Sequence, residues 1–286
     1  MTLRFGYGTN GFAGHRLDEA LGVLADLGYD GVALTLDHPH LDPFAPDLAA
    51  RTDDVRRRLS AYGLGVVVET GARYVLDPWR KHEPTLVSDT GRERRVDYLH
   101  RAIRVAADLG AEAVSFWSGT VPEGVGPHQA WERLTRGVEQ VLAEAERHDV
   151  RCAFEPEPGM FVDTLAGVAQ LRRRLGDPER LTVTVDVGHC VCNEPAPPQE
   201  RIRDVGSLLG NVQIDDMRPG VHEHLEFGDG DVDLPATLRA LLDVGYQGLV
   251  SVELPRHSHA APAVAARSLD ALRTARAAAL AAEVTP

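Results

Sequence analysis

The 286-residue chain contains a single lysine, Lys81; its other basic residues are all arginine. Schiff-base chemistry needs a lysine amine in a desolvated pocket. Lys81 lies in a polar segment expected to be exposed, which argues against a lysine-based aldolase. Cysteine is also scarce. Cys152, Cys190 and Cys192 make no disulfide framework. Cys190-Val191-Cys192 lacks the second pair a zinc site wants, so the three read as structural. No apolar run reaches the ~18–20 residues of a membrane helix. The opening Met1-Thr2-Leu3-Arg4-Phe5-Gly6-Tyr7 reads as a strand, not a signal peptide. A soluble cytoplasmic protein is expected. Positive charge is in deficit, with a formal net charge of −13. Tight binding of a nucleic-acid backbone normally needs a basic face, so a small-molecule enzyme is favoured, with no nucleic-acid or membrane partner.

What the chain does have is a repeated unit: an amphipathic helix, a turn that usually contains Gly, then a short apolar strand. Helical spacing covers Leu17–Leu27, Asp54–Tyr62, Arg92–Leu109, Ala130–Arg147, Leu165–Leu175 and Leu234–Val244. Strands are expected at Leu3–Gly8, Val32–Leu36, Leu64–Glu69, Ala113–Trp117, Val150–Glu155, Leu181–Asp186, Val212–Asp215 and Leu249–Glu253. Short strands rich in β-branched residues suit a parallel sheet covered on both faces. Eight units in this length predict one domain, residues 1–286, folded as a single (β/α)8 TIM barrel. Gly6-Tyr7-Gly8-Thr9-Asn10-Gly11 does not match GxGxxG, which weakens a dinucleotide-binding alternative. The Ala-rich tail, Ala260–Glu283, reads as a closing helix. Long loops follow the strands, as in His38–Asp47, Arg73–Gly91, Gly119–Gln129, Glu157–Asp163, Cys190–Gln199 and Met217–Asp233. They gather at the C-terminal face of a barrel, where active sites sit.

Glu155, Asp186, Gln213 and Glu253 stand at the ends of the last four strands, spaced by about one βα unit (~30 residues) or slightly more. Several carboxylates at one mouth raise one another's pKa or require a cation. Oxygen donors suit Mg2+ or Mn2+, and added nitrogen admits Co2+ or Zn2+. One divalent cation held by these four residues is therefore expected.

Ordered motifs carry a resemblance over essentially the whole chain. They are Phe154-Glu155-Pro156, Val185-Asp186-Val187-Gly188-His189 and Val212-Gln213-Ile214-Asp215-Asp216. Gly228-Asp229-Gly230-Asp231-Val232-Asp233 follows, then Gly245-Tyr246-Gln247-Gly248 leading to Val252-Glu253. Together they resemble the xylose isomerase-like barrels described as sugar phosphate isomerases and epimerases. The resemblance implies a cation held by Glu, Asp, His and Glu on strands five to eight. This chain departs by placing Gln213 where the histidine stands. That shifts the expected ion toward Mn2+ or Mg2+ and leaves His222 or His224, in the loop beyond, as alternative nitrogen donors.

The resemblance implies proton transfer next to a carbonyl through an ene-diolate, with Glu155 and Glu253 as base and acid. It implies a substrate contact for His189. Arg218 and Arg256 could hold a hydroxyl, carboxylate or phosphate. Trp117 could stack on a sugar or pack in the core. Glu69 could bind a hydroxyl or pair with Arg73. His222 joins this substrate-binding set. Glu157 sits in a turn bounded by Pro156 and Pro158, His38 and His40 could shape the pocket, and His257 and His259 read as solvated. No Gly-rich phosphate cradle follows strands seven and eight, and the acidic Gly228–Asp231 turn would repel phosphate. The expected partner is thus an unphosphorylated sugar, cyclitol or keto-polyol. The alternatives are a dehydratase of inosose or dehydroshikimate type, an endonuclease-like relative, and a non-catalytic polyol-binding barrel. The endonuclease is disfavoured by the acidic charge and Gln213. Homodimer or homotetramer are the assemblies to be expected of such a barrel.

Overall fold

The structure, a computed structural model, describes residues 2–71 and 73–281. Among the described residues, ten strands follow in chain order: β1 (Arg4–Gly8), β2 (Gly31–Thr35), β3 (Gly65–Glu69), β4 (Val114–Phe116), β5 (Cys152–Phe154), β6 (Leu181–Asp186), β7 (Leu209–Ile214), β8 (Asp216–Arg218), β9 (Val221–Leu225) and β10 (Leu249–Val252). Eight of them close a parallel barrel in the order β1-β10-β7-β6-β5-β4-β3-β2. β8 and β9 pair only with each other, antiparallel. Nine α-helices surround the described barrel: α1 (Leu17–Leu27), α2 (Leu48–Tyr62), α3 (Arg92–Leu109), α4 (Pro127–His148), α5 (Leu165–Arg174), α6 (Val187–Asn193), α7 (Pro198–Val205), α8 (Leu234–Asp243) and α9 (Ala261–Ala281). The chain is a single (β/α)8 barrel, as the repeating pattern predicts.

Burial explains the pattern. α1 buries Leu17, Ala20, Leu21 and Leu24, the one-face spacing of an amphipathic helix. Leu21 and Leu24 are fully enclosed, and each contributes about 2 kcal/mol by leaving water. Every residue of β2 and of β6 is buried, because helices cover the sheet outside and side chains fill it inside. Cys152 and Cys190 are buried free thiols, and Cys192 is partly exposed.

The differences from expectation lie mostly near the mouth. β7 begins at Leu209, three residues before the expected start, and α2 begins at Leu48 rather than Asp54. Much of the expected loop Cys190–Gln199 is occupied by α6 and the start of α7. α6 starts where it does because the Asp186 carboxylate accepts the His189 N–H at 2.9 Å, a side-chain cap. The expected loop Met217–Asp233 contains most of the β8–β9 hairpin. Gly220, with φ of 73°, allows its tight reversal. The closing helix ends among the described residues at Ala281; residues 282–283 of the expected helix lie outside them. No described helix is long and apolar enough to cross a membrane.

Candidate active site and cation site

The strand ends open into a cavity of about 500 Å³. Its floor is a polar layer inside the barrel. Ser115 Oγ and Thr184 Oγ1 are 2.9 Å apart, and Asn211 Nδ2 donates to Glu69 Oε1 at 3.1 Å. All four residues are buried.

Above this floor stand the four strand-end residues. The Glu155 N–H donates to the Phe116 carbonyl at 2.9 Å, and the Glu253 N–H to the Ile214 carbonyl at 3.1 Å. Both glutamates therefore extend the ladders of β5 and β10 by one residue. Asp186 and Gln213 are register partners on β6 and β7. Because β10, β7, β6 and β5 are consecutive neighbours, Glu253, Gln213, Asp186 and Glu155 form an arc. One oxygen from each of Glu155, Asp186 and Glu253 lies within 4.8 Å of the others.

The electrostatics of this arc are unfavourable without a counter-charge. Burial, reinforced by Glu157 and Glu253, pushes the Glu155 carboxyl well above the usual range. Burial also raises Glu253, against the opposing pull of His224. Glu69 is raised by burial and then by Glu253. Asn10 Nδ2 donates to Glu253 Oε1 at 2.9 Å, and the Gln213 amide donates to Glu253 Oε2. That leaves Gln213 Oε1 buried with no partner, as is Asp186 Oδ2. An orphaned buried acceptor costs about 1–3 kcal/mol. Two orphaned oxygens beside clustered carboxylates are the donor set of a hard divalent cation, so Glu155, Asp186, Gln213 and Glu253 fit such an ion.

A second group of side chains comes from the hairpin. His222 and His224 alternate with Glu223 along β9 and so share one face. Asp215, fully buried, lies 2.5 Å from His224 Nδ1. Burial lowers the His224 pKa, but Asp215 and the nearby acids overcome it and hold the imidazole up at about 10. Burial takes His189 down to about 4 and Glu157 up to about 8. The hairpin is anchored by Asp216, whose carboxylate accepts N–H groups from Met217 at 3.0 Å, Gly228 at 2.8 Å and Val232 at 2.9 Å. The acidic glycine turn thus ties the hairpin to the barrel, and Asp233 caps α8 through the Ala236 N–H at 3.0 Å.

The sequence profile of the xylose isomerase-like TIM barrel family matches residues 21–275. The chain belongs to that family. Protein MJ1311 of Methanocaldococcus jannaschii is 22% identical over 260 residues, covering 88% of this chain and 84% of its own. The L-ribulose-5-phosphate 3-epimerase UlaE of Escherichia coli is 24% identical over 239 residues, covering 82% of this chain and 81% of its own. The solved structure of an L-ribulose 3-epimerase superposes with a TM-score of 0.78 at 20% identity and covers all of both chains.

Of the residues singled out in the sequence, Glu69, Trp117, Glu155, His189, Gln213, His222, Glu253 and Arg256 line the cavity. Asp186 is not among the lining residues but lies within the carboxylate group. Trp117 both lines the cavity and packs, with the Arg95 guanidinium 4.8 Å over its ring. Arg256 is held by Glu223 at 2.9 Å. Arg218 is not among the lining residues; it is exposed on β8 and donates to the Asp229 carbonyl at 2.7 Å. His38, His40, His257 and His259 are outside the lining as well. Lys81 is exposed, as expected of its polar segment, yet it reaches the rim. Sequence reasoning missed Asn10, Thr35, Asp37 and His82, and gave Arg73 and Lys81 no part in the pocket. Asn10 had a usable signal, since it lies two residues past β1 at a mouth position. His222 and His224 were placed in a loop, although their alternation is the mark of a strand face.

Proposed function

We propose that the chain is a divalent-cation-dependent isomerase that epimerises a sugar, cyclitol or keto-polyol next to its carbonyl. The observation that carries this reading is the arc itself. Glu155 and Glu253 stand at its two ends, with Asp186 and Gln213 between them on β6 and β7. A substrate carbon between the glutamates meets a carboxyl on each side. Raised pKa values at both positions allow one to enter protonated and the other ionised, the pairing that acid–base catalysis near neutral pH requires. One glutamate removes the proton α to the carbonyl, and the other delivers a proton to the opposite face, inverting that carbon. Asn10 and Gln213 hold Glu253 by hydrogen bonds to its two oxygens. Bound by the four arc residues, a cation, Mn2+ or Mg2+ by the oxygen-rich donor set, would polarise the carbonyl and neutralise developing charge. His189 and Trp117 border the space left for the substrate. The similarity to two ketose 3-epimerases supports the same class of reaction.

The test is proton exchange. The full chain with Mn2+ and L-ribulose or a ketohexose in D2O should place deuterium at the carbon next to the carbonyl, followed by NMR. Glu155→Gln and Glu253→Gln should each abolish the exchange. Loss of water instead would produce an absorbing enone and establish the dehydratase. No exchange with any ketose or cyclitol ketone would sink both and leave a binding barrel.

A further inference from the structure

We propose that Arg73 and Lys81, on the loop after β3, form an anion subsite that takes a carboxylate at the end of the substrate remote from its carbonyl. The proposal rests on the isomerase reading and narrows its substrate to a keto sugar acid.

Barrel order sets the two halves of the cavity. In the closed order β3 stands four places from β7 in either direction, across from the middle of the arc. A substrate whose carbonyl lies at the arc therefore sends its other end toward the loop after β3. Three Arg or Lys side chains line the cavity: Arg73, Lys81 and Arg256. Glu223 holds Arg256 at 2.9 Å. Arg73 and Lys81 make no ion pair or side-chain hydrogen bond among the described residues. Arg80, on the same loop, is paired with Asp77 at 2.9 Å and is not part of the lining. The two loop cations that face the cavity are thus the two left without a carboxylate.

The backbone holds this pair at the mouth. The His82 N–H donates to the Arg73 carbonyl at 2.6 Å, which closes the loop and brings the Lys81 segment beside Arg73. Arg95, buried on α3, donates to the Pro84 carbonyl at 2.9 Å and to the His82 carbonyl at 2.6 Å. The stem is pinned before any ligand arrives, so binding does not have to order it.

The chain carries a net charge of −13. An anion is repelled by the protein as a whole, and only local positive charge can hold it. A guanidinium matches a carboxylate with two parallel N–H bonds, and an ammonium adds a point charge. Asp37 and Glu157 line the same cavity, within electrostatic reach of Arg73 and of Lys81 respectively. They cancel part of the positive charge, which favours a singly charged carboxylate over a phosphate ester of nearly twice the charge.

Calorimetric titration of the full chain with Mn2+ tests the subsite. The probes are D-tagatose, D-tagaturonate and D-tagatose 6-phosphate, with the matching D-fructose set; members of a set differ only at the terminal carbon. Deuterium exchange next to the carbonyl is read on the same samples. In at least one set the acid should bind about 10-fold more tightly than the neutral ketose, and the preference should shrink as salt rises. It should fall to about 2-fold or less in Arg73→Gln and in Lys81→Met, the loss expected for a charged hydrogen bond, and persist in Arg80→Gln. All three side chains are exposed, and circular dichroism confirms that each variant folds. An acid that binds no more tightly than its neutral ketose in either set overturns the subsite. So does a preference that survives both variants, because the cation then holds the carboxylate. Tighter binding of the phosphate ester than of the acid overturns the carboxylate assignment. Exchange without acid preference sinks the subsite and keeps the isomerase. Acid preference lost in the variants, with no exchange on any probe, keeps the subsite and sinks the isomerase.

Discussion

The two ends of the barrel treat carboxylates in opposite ways. At the end where the strands begin, Glu112 meets Arg4 at 2.7 Å and accepts the Leu249 N–H at 3.1 Å. Asp30 accepts the Phe5 N–H at 2.8 Å, and Asp149 pairs with Arg180 at 2.8 Å. Each of these acids has a donor, and Glu112 and Asp30 tie strand residues to neighbouring segments. At the other end Glu155, Asp186 and Glu253 are buried or nearly so, and no Arg or Lys ion pair reaches them among the described residues. The difference separates acids that hold the barrel together from acids kept in a costly state, the positions to which the proposed chemistry is assigned. Uncompensated charges in a low-dielectric site destabilise the fold, and that cost marks a functional position.

The comparison is sharpest when the same substitution is made at each end. Glu253→Gln should lower turnover about 10³-fold, within the usual contribution of a positioned acid or base, while Tm stays level or rises because a repelling charge is gone. Steady-state kinetics and calorimetry on one preparation check both halves. A variant that keeps turnover while losing stability would remove the distinction between the ends. Asp216→Ala, at the base of the hairpin, orphans three N–H groups and should cost about 3 kcal/mol by urea unfolding. A loss below about 0.5 kcal/mol would mean the hairpin is held by something else. Glu112→Gln at the quiet end should cost about 1 kcal/mol, since its ion pair is partly exposed, with kcat unchanged.

The smallest expected effect is on pH dependence. Between pH 6.5 and 8 the ion-free folded chain holds protons that the unfolded chain has released. Glu157 is raised to about 8 and His224 to about 10. With more protons bound in the folded state, stability falls as pH rises. His189, lowered to about 4 from 6.5, and His222, also lowered by burial, act in the opposite sense, an effect that fades as pH rises above the ordinary histidine value of 6.5. Tm measured from pH 6.5 to 8 should decline without metal and flatten with Mn2+, which favours the ionised carboxylates. A rising Tm without metal would mean that the mouth acids are compensated after all.

Much of this was legible in the chain before any coordinates. Eight strands alternating with amphipathic helices specify a parallel sheet covered by helices, and eight such units in this length favour its closure into a barrel. The placing of Glu155, Asp186, Gln213 and Glu253 at strand ends follows from the same regularity, since period and spacing are local properties. Other features were decided by contacts between distant segments. The β8–β9 hairpin exists because Asp216 binds the turn at Gly228 and Val232, and α6 starts because Asp186 turns back to cap it. Asn10 meets Glu253 across more than two hundred residues of chain, a pairing that barrel closure alone creates. His189, His222 and His224 converge only once the hairpin folds over the mouth. Sequence periodicity reports which face of an element is apolar; it carries no information about which polar faces will meet, because that depends on closure and loop docking.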